Sequence, residues 1–291
     1  MRRNPDARTT LVADATARNL AGALLELDKL AQKRPSIQES CKVLAAVLPA
    51  LFTQPAAEAL LQMTPEAAHP RLVEGTPLLR DVHPAINAPD LRERWYAVCA
   101  AVHQPGADAL AAAVRRETLA PLALLYDVLD GRPEAVALRM ESLHLDGALA
   151  GTILRFAALP ALARLAQQGN ELRKGIEWDH GYCPTCGSWP LLGEVRGLEQ
   201  HRFLRCGWCA SAWLIERLHC PFCGNRDHHT LGYLHVEGEE DRYRAGVCEL
   251  CRGYVKWAST IFALSEPQLL VADLATLHLD LAAAERRYFV L

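Results

Sequence analysis

The chain has 291 residues, of which 51% are hydrophobic and 22% are charged. This composition is that of a folded protein of two or three domains, and it excludes a disordered chain. The formal net charge of -3 provides no general attraction to nucleic acid or to an anionic membrane surface. Any partner must therefore be recognised by a local surface.

Residues 1–174 are predicted to form a helical domain, because apolar residues recur three or four positions apart. The start of the chain has two arginines but no apolar stretch of the kind found in signal peptides, which favours a cytoplasmic protein. An apolar stretch at 148–166 contains Arg155 and Arg164, so we expect a buried helix and no membrane insertion. About six to eight helices are expected. The breaks between them are predicted at Pro35, at 53–55, between Thr64 and Pro84, at 105–106 and at 131–133.

The pattern changes at about residue 175, where aromatic residues, glycines and cysteines become frequent. Short runs in which apolar and polar residues alternate predict strands. These runs are 200–205, 210–218, 230–236, 242–247 and 253–262. After Ser265 the helical period returns, so a C-terminal helix and tail are predicted for 265–291. The predicted class is therefore α+β.

Eight of the ten cysteines form CxxC pairs within about seventy residues. Chance would supply about 0.3 such pairs in a chain of this composition, so the four pairs require a physical cause. Two thiolates separated by two residues can turn around one ion, and two such knuckles complete a tetrahedral site. The predicted ligands are Cys183, Cys186, Cys206, Cys209, Cys220, Cys223, Cys248 and Cys251.

The four pairs form an internal repeat of 37 residues, measured from Cys183 to Cys220. Each unit consists of a knuckle, a hairpin, a second knuckle and a strand, which is the order of a rubredoxin-like or zinc-ribbon module. The two modules are predicted at 175–218 and 219–264, each with its own four cysteines. The alternative is cross-braced pairing, in which the first and third knuckles share an ion.

Other chemistries of paired cysteines are less favoured than metal binding. Disulfides are disfavoured in a reducing cytoplasm, and a thioredoxin-like redox pair would need a βαβ context. Cys41 and Cys99 lie within helical patterns and are expected in the core. His228 and His229 are expected to be solvated loop residues, since four thiolates already complete each site. Four thiolates suit iron or zinc equally, so the ligand set leaves the metal open.

No catalytic residues are predicted, because the helical region shows no nucleophile–base set and no phosphate-binding loop. A zinc-ribbon protein that binds nucleic acid is one alternative, but residues 171–256 contain eleven Lys or Arg against twelve Asp or Glu. A rubredoxin-like electron carrier is a second alternative, although a carrier would not need a large helical domain. A helical platform joined to ribbons favours a protein-binding role.

The sequence resembles the family of formate dehydrogenase accessory proteins called FdhE. The likeness is carried by Leu154-Arg155-Phe156-Ala157-Ala158, by Cys183-Pro184-Thr185-Cys186-Gly187-Ser188, by the other three CxxC pairs and by the segment from Asp273 to Asp280. The helical half matches more loosely.

The resemblance implies a cytoplasmic, non-enzymatic maturation factor for respiratory formate dehydrogenase. Such a factor recognises the catalytic subunit before twin-arginine export. The resemblance also implies two iron ions, one in each four-cysteine site, with zinc as the alternative. It assigns no partner-binding residues, and it leaves self-association possible.

Overall fold

The computed structural model describes residues 5–239 and 241–289, with side chains from residue 15 onward. A helical first part is followed by a six-stranded sheet and then by two more helices. The predicted α+β class with two four-cysteine modules is therefore confirmed. The domain boundaries at 174, 218 and 264 stay predictions, because one apolar core continues across the first of them.

Eight α-helices form the described chain up to residue 174, in agreement with the predicted number. Five of these helices begin at a proline, whose missing N–H is not needed in the first turn of a helix. The helices are α1 (Pro5–Lys33), α2 (Gln38–Phe52), α3 (Pro65–Val73), α4 (Ala88–Val102), α5 (Pro105–Arg115), α6 (Pro121–Leu129), α7 (Pro133–Ser142) and α8 (Gly147–Leu172), with a 3-10 turn at Pro35–Ile37.

Most predicted helix breaks fall where the structure has connections, but one prediction was wrong. The predicted connection between Thr64 and Pro84 contains α3, whose first turn is capped by the Thr64 hydroxyl, which accepts a hydrogen bond from the amide of Ala67 at 3.3 Å. The breaks before Pro121 and at 143–146 were not predicted. Residues 116–120 and 143–146 contain neither proline nor glycine.

Helix α8 forms the centre of the helical part, where it packs against α2, α4, α5, α6 and α7. Among the described residues it is the one helix long and apolar enough to cross a membrane, with a mean hydropathy of 1.4. In its most apolar window 61% of the residues are buried inside the protein. This burial agrees with the expectation of a core helix.

The cysteine-rich region forms one sheet with the strand order β5-β4-β3-β8-β7-β6. A further two-residue pair, β1 with β2, lies in the helical part. Strand β3 was missed by the sequence pattern, because most of its residues are buried and do not alternate. The strands are β1 (Ala59–Leu60), β2 (Ala85–Ile86), β3 (Pro190–Arg196), β4 (His201–Cys206), β5 (Ala212–Leu214), β6 (Leu231–Leu234), β7 (Tyr243–Cys248) and β8 (Tyr254–Thr260).

The two repeats are joined through β3 and β8, which pair in parallel from Gly193↔Trp257 to Arg196↔Thr260. The two modules thus share one sheet, because each three-stranded unit gives one edge to the other. Gly193 allows this contact, since a Cβ at that position would overlap the indole ring of Trp257.

The two units are buried against different parts of the chain. The first unit contributes Leu204 and Trp213 to the core that includes Trp95 of α4. The second unit packs against the C-terminal helix α10 (Leu277–Glu285), whereas α9 (Glu266–Ala275) packs on Leu192 of β3 and against α1 and α2. The single predicted C-terminal helix is therefore divided, and the break falls at Thr276.

A buried charge lies at the junction of the two units. The side chain of Glu194 in β3 is fully buried and forms ion pairs with Arg205 and with Arg196. Arg205 also donates to the carbonyl of Leu264 at 2.9 Å, and thus connects the first unit with the segment before α9. Burial lowers the pKa of the Arg205 guanidinium, while the charge of Glu194 acts in the opposite direction. The arginine therefore depends on its carboxylate partner.

We expect Glu194→Gln to lower the free energy of unfolding by about 3–5 kcal/mol, because it leaves a buried guanidinium without a counter-charge. Urea denaturation followed by tryptophan fluorescence measures this change. The matched control is Glu199→Gln, whose side chain is 80% exposed and should leave the denaturation midpoint unchanged. Equal midpoints for the two variants would contradict the role of Glu194.

Candidate metal centres

The first cluster of cysteines contains Cys183, Cys186, Cys206 and Cys209, whose sulfurs all lie within 4.8 Å of one another. The Sγ atoms are 3.5 Å apart for Cys183 and Cys209, and 3.4 Å apart for Cys186 and Cys206. The four side chains are at most 2% exposed. Strands β3 and β4 form the hairpin that brings the two knuckles together.

The second cluster contains Cys220, Cys223, Cys248 and Cys251. Its Sγ distances are 3.6 Å between Cys220 and Cys251, and 3.8 Å between Cys223 and Cys248. This cluster is more open than the first, since Cys223 is exposed and Cys251 is half-buried. The structure thus groups the predicted ligands sequentially, and it does not bring together the sets that cross-braced pairing would require.

All four knuckles share one backbone geometry. The amide four residues after the first cysteine donates to that cysteine's carbonyl, at 2.9–3.1 Å. The first cysteine's own amide donates to the carbonyl five residues ahead, at 2.8–3.0 Å. The residue four positions after the first cysteine has a positive φ in every knuckle. Glycine adopts this conformation without strain at Gly187 and Gly224, whereas Ala210 and Arg252 adopt it at some steric cost. The repeat seen in the sequence is therefore also a repeat of backbone conformation.

The sulfur positions fit a tetrahedral metal ion. Four thiolates about 2.3 Å from a central ion lie about 3.8 Å from one another, close to the distances in both clusters. A disulfide requires about 2.05 Å, and all ten cysteines are free thiols. Backbone amides also point at sulfur, at 3.4 Å from Thr185 to Cys183 and from Gly253 to Cys251. Such amides stabilise thiolate charge.

The crowding of the sulfurs shifts the pKa values of the thiols in opposite directions. Burial raises the pKa of Cys206 well above that of an ordinary thiol. Burial also opposes ionisation of Cys183, yet hydrogen bonds from the other three thiols hold its pKa well below the usual value. In the second cluster burial is outweighed by the backbone of Cys251 and the amide of Asn225, which lower the pKa of Cys248 to about 7. One sulfur in each set ionises readily, and a cation is needed to keep all four as thiolates.

A loop of the helical part holds the first knuckle. The amide of Leu78 donates to the carbonyl of Pro184 at 3.0 Å, and the amide of Leu79 donates to that of Thr185 at 2.8 Å. The hydroxyl of Tyr182 donates to the carbonyl of Gly75 at 2.7 Å. The sequence did not predict these hydrogen bonds, because backbone donors and acceptors carry no residue-type signal.

The remaining candidates lie outside both clusters. Cys41 and Cys99 are buried in α2 and α4, and burial raises the pKa of Cys99 to about 11, as expected for core thiols. His228 and His229 are exposed in the loop before β6. They form a third, solvent-facing group with Asp227, and their side chains join neither set of four sulfurs.

The difference in exposure between the clusters predicts a difference in thiol reactivity. Brief treatment with iodoacetamide should alkylate Cys223 first, because its side chain is open to solvent, while the four sulfurs of the first cluster stay protected. Peptide mass spectrometry identifies the labelled position. Cys41 is an internal control for a buried thiol outside the clusters. Labelling of Cys183 before Cys223 would contradict the structure.

Comparison with known proteins gives a consistent result. Residues 182–217 match the model of the FdhE central domain. An FdhE homologue of Stutzerimonas stutzeri is 40% identical over 113 residues, which are 38% of this chain and 36% of the relative. One from Aquifex aeolicus is 36% identical over 117 residues, or 38% of this chain and 40% of the relative. The alignments with these curated relatives thus span well under half of their length.

A solved structure extends the likeness to nearly the whole chain. The crystal structure of the FdhE protein from Pseudomonas aeruginosa has a TM-score of 0.62 and 26% sequence identity. The match covers 93% of this chain and 92% of that one. The predicted resemblance to the FdhE family is therefore confirmed, by sequence around the first cysteine cluster and by fold along almost the entire chain.

Proposed function

We propose that this chain is an accessory protein for the maturation of respiratory formate dehydrogenase. In this proposal it binds the unfinished catalytic subunit in the cytoplasm, before twin-arginine export, and it has no catalytic turnover of its own. The observation that carries the proposal is the fold match to the solved FdhE protein together with two complete sets of four cysteines.

The architecture supports a binding role. Of the described residues, the most chemically distinctive are the two cysteine clusters, and the first of these is enclosed by the helical part. A closed four-cysteine site has no open coordination position for a substrate. Such a site suits the support of a binding surface better than catalysis.

We propose one iron ion for each cluster, with zinc as the alternative. The ligands would be the eight cysteines that form the two sets, and the amides of Thr185 and Gly253 would donate to their sulfurs. When bound, the ion supplies positive charge that keeps four thiolates together and contributes to folding. Iron would in addition allow a one-electron change at the site. Both metals accept four thiolates, so the sulfur positions favour neither.

The alternative functions have less support. A nucleic-acid-binding ribbon needs a basic face, whereas residues 171–256 carry nearly equal numbers of cationic and anionic side chains. An electron carrier needs an exposed redox centre, and the first cluster is almost fully buried. Because the second cluster is more open, a rubredoxin-like electron carrier is the second candidate function. A reversible one-electron titration would test this alternative.

Metal analysis tests the ligand assignment. We expect two metal ions per chain in protein prepared without added metal and without oxygen. Cys183→Ser and Cys248→Ser should each retain one ion, because an incomplete thiolate set binds weakly. Cys41→Ser, a buried cysteine outside the clusters, should retain both. Elemental analysis decides between iron and zinc, and two ions in the Cys183→Ser variant would refute the assignment.

A pull-down tests the proposed partner. The tagged chain should capture a formate dehydrogenase catalytic subunit from cells in which cofactor insertion is blocked, and it should capture less of the mature enzyme. An unrelated exported enzyme of similar size is the control. Equal capture of the control, or capture that disappears after nuclease treatment, would contradict the proposal.

A further inference from the structure

A cleft of about 820 Å³ lies where the helical part meets the sheet. One wall is formed by α7 and α8, and another by the two knuckles of the first cysteine cluster, including Cys186. Residues of β8 and of the C-terminal helices also line it. The volume is in the range of sites that hold small ligands or short peptide segments.

Two arginines lie in this cleft against the knuckles. A Cβ built on Gly187 would be 2.7 Å from Nη2 of Arg80, and one built on Gly207 would be 3.2 Å from Nη1 of Arg155. Gly187 directly follows Cys186, and Gly207 directly follows a cysteine of the second knuckle. Both glycines therefore leave room for a guanidinium group.

Neither guanidinium forms an ion pair or a hydrogen bond with any residue in the described part of the chain. Arg155 lies 5.2 Å from the centroid of the Phe156 ring, and both arginines are half-buried. The more deeply buried Arg94 and Arg205, in contrast, have carboxylate partners. The donors of Arg80, which also packs on Gly131, and of Arg155 are therefore available to an anion that enters the cleft.

The cleft is also lined by a group of the opposite charge. Lys256 is buried in β8, where its Nζ lies 2.6 Å from Asp273 and 2.7 Å from Asp280. The hydroxyl of Tyr254 donates to Asp280 at 2.8 Å. Two carboxylates against one ammonium give this group a net negative charge, and both carboxylates are about one quarter exposed.

We propose that this cleft binds an extended acidic peptide segment, with an Asp or Glu side chain held by Arg80 and Arg155. A guanidinium group binds a carboxylate through two parallel hydrogen bonds. The half-buried rings of Trp189 and Trp208 in the cleft provide apolar contact for neighbouring side chains. The acidic group formed by Asp273 and Asp280 would receive a basic side chain of the same segment. The inference rests on the proposed function, since it names where the unfinished subunit would be held.

A peptide is favoured over a free phosphate because the cleft is large, carries both charges and has aromatic walls. Five glycines also line it, and their lack of side chains leaves room along its walls: Gly131, Gly147, Gly151, Gly187 and Gly207. A simple phosphate site would use the two arginines and leave these features without a role.

Calorimetry with two sets of probes tests the proposal. The first set is overlapping 12-residue peptides from a formate dehydrogenase catalytic subunit, and the second is a library of Asp- or Glu-containing peptides, with inorganic phosphate as a third ligand. Acidic peptides should bind, and their Asn or Gln versions should bind at least tenfold more weakly. The double variant Arg80→Gln/Arg155→Gln should lose at least tenfold in affinity. Arg92→Gln, an exposed arginine of α4, should bind like the wild type.

Three results would overturn the inference. Peptide affinity could be unchanged in the double variant, phosphate could bind more tightly than every peptide, or the double variant could lose metal. The last result would show that the arginines serve to offset thiolate charge. Capture of the catalytic subunit is measured separately. Equal capture by the wild type and the double variant would refute the cleft alone, whereas no capture by the wild type would refute the proposed function while the library still tests the cleft.

Discussion

Four sulfur atoms within 4.8 Å of one another are the constraint around which each half of the sheet is built. Ionisation of one thiol opposes ionisation of its neighbours, because thiolates repel one another unless a cation lies between them. Four knuckles with the same two backbone hydrogen bonds hold the sulfurs in place. Burial and neighbouring thiols raise the pKa of Cys206 in the first cluster, which makes the charged set still more dependent on a metal.

The two cysteine clusters lie in different surroundings. The first is enclosed between the hairpin of β3 and β4 and the loop that contains Leu78 and Leu79. Loss of its geometry would therefore disturb the helical part as well as the sheet. The second is supported mainly by its own hairpin and by the C-terminal helices, and it leaves Cys223 open to solvent. The two repeats are alike in sequence, but their cysteine clusters differ in burial. This difference would affect stability and thiol reactivity.

The junction of the two repeats shapes the surface on which a partner would be recognised. The parallel pairing of β3 with β8 brings Lys256 and the C-terminal helices beside the first cluster. The loop before β2 and helix α8 contribute Arg80 and Arg155 from the other side. The cleft is thus composed of segments from the helical part, both modules and the C-terminal helices. Its cationic and anionic side chains come together through this assembly.

The sequence alone was sufficient for the class of fold, for most helix breaks and for the grouping of eight cysteines into two sets of four. These features depend on short-range patterns: the helical period, the proline positions and the two-residue spacing within each knuckle. Strand β3 was missed because a strand buried on both faces loses its alternation, and α3 was missed because Thr64 and Pro65 resemble a loop as much as a helix start.

Only the tertiary structure decided the parallel pairing of the repeats, the enclosure of one cluster but not the other, and the meeting of Arg80 with the first knuckle. Each of these depends on contacts between segments far apart in the chain, such as Leu79 with Thr185 or Gly193 with Trp257. Local patterns specify which residues can form a knuckle or a helix. They do not specify which distant surfaces bury one another, because that choice is made by the packing of the whole core.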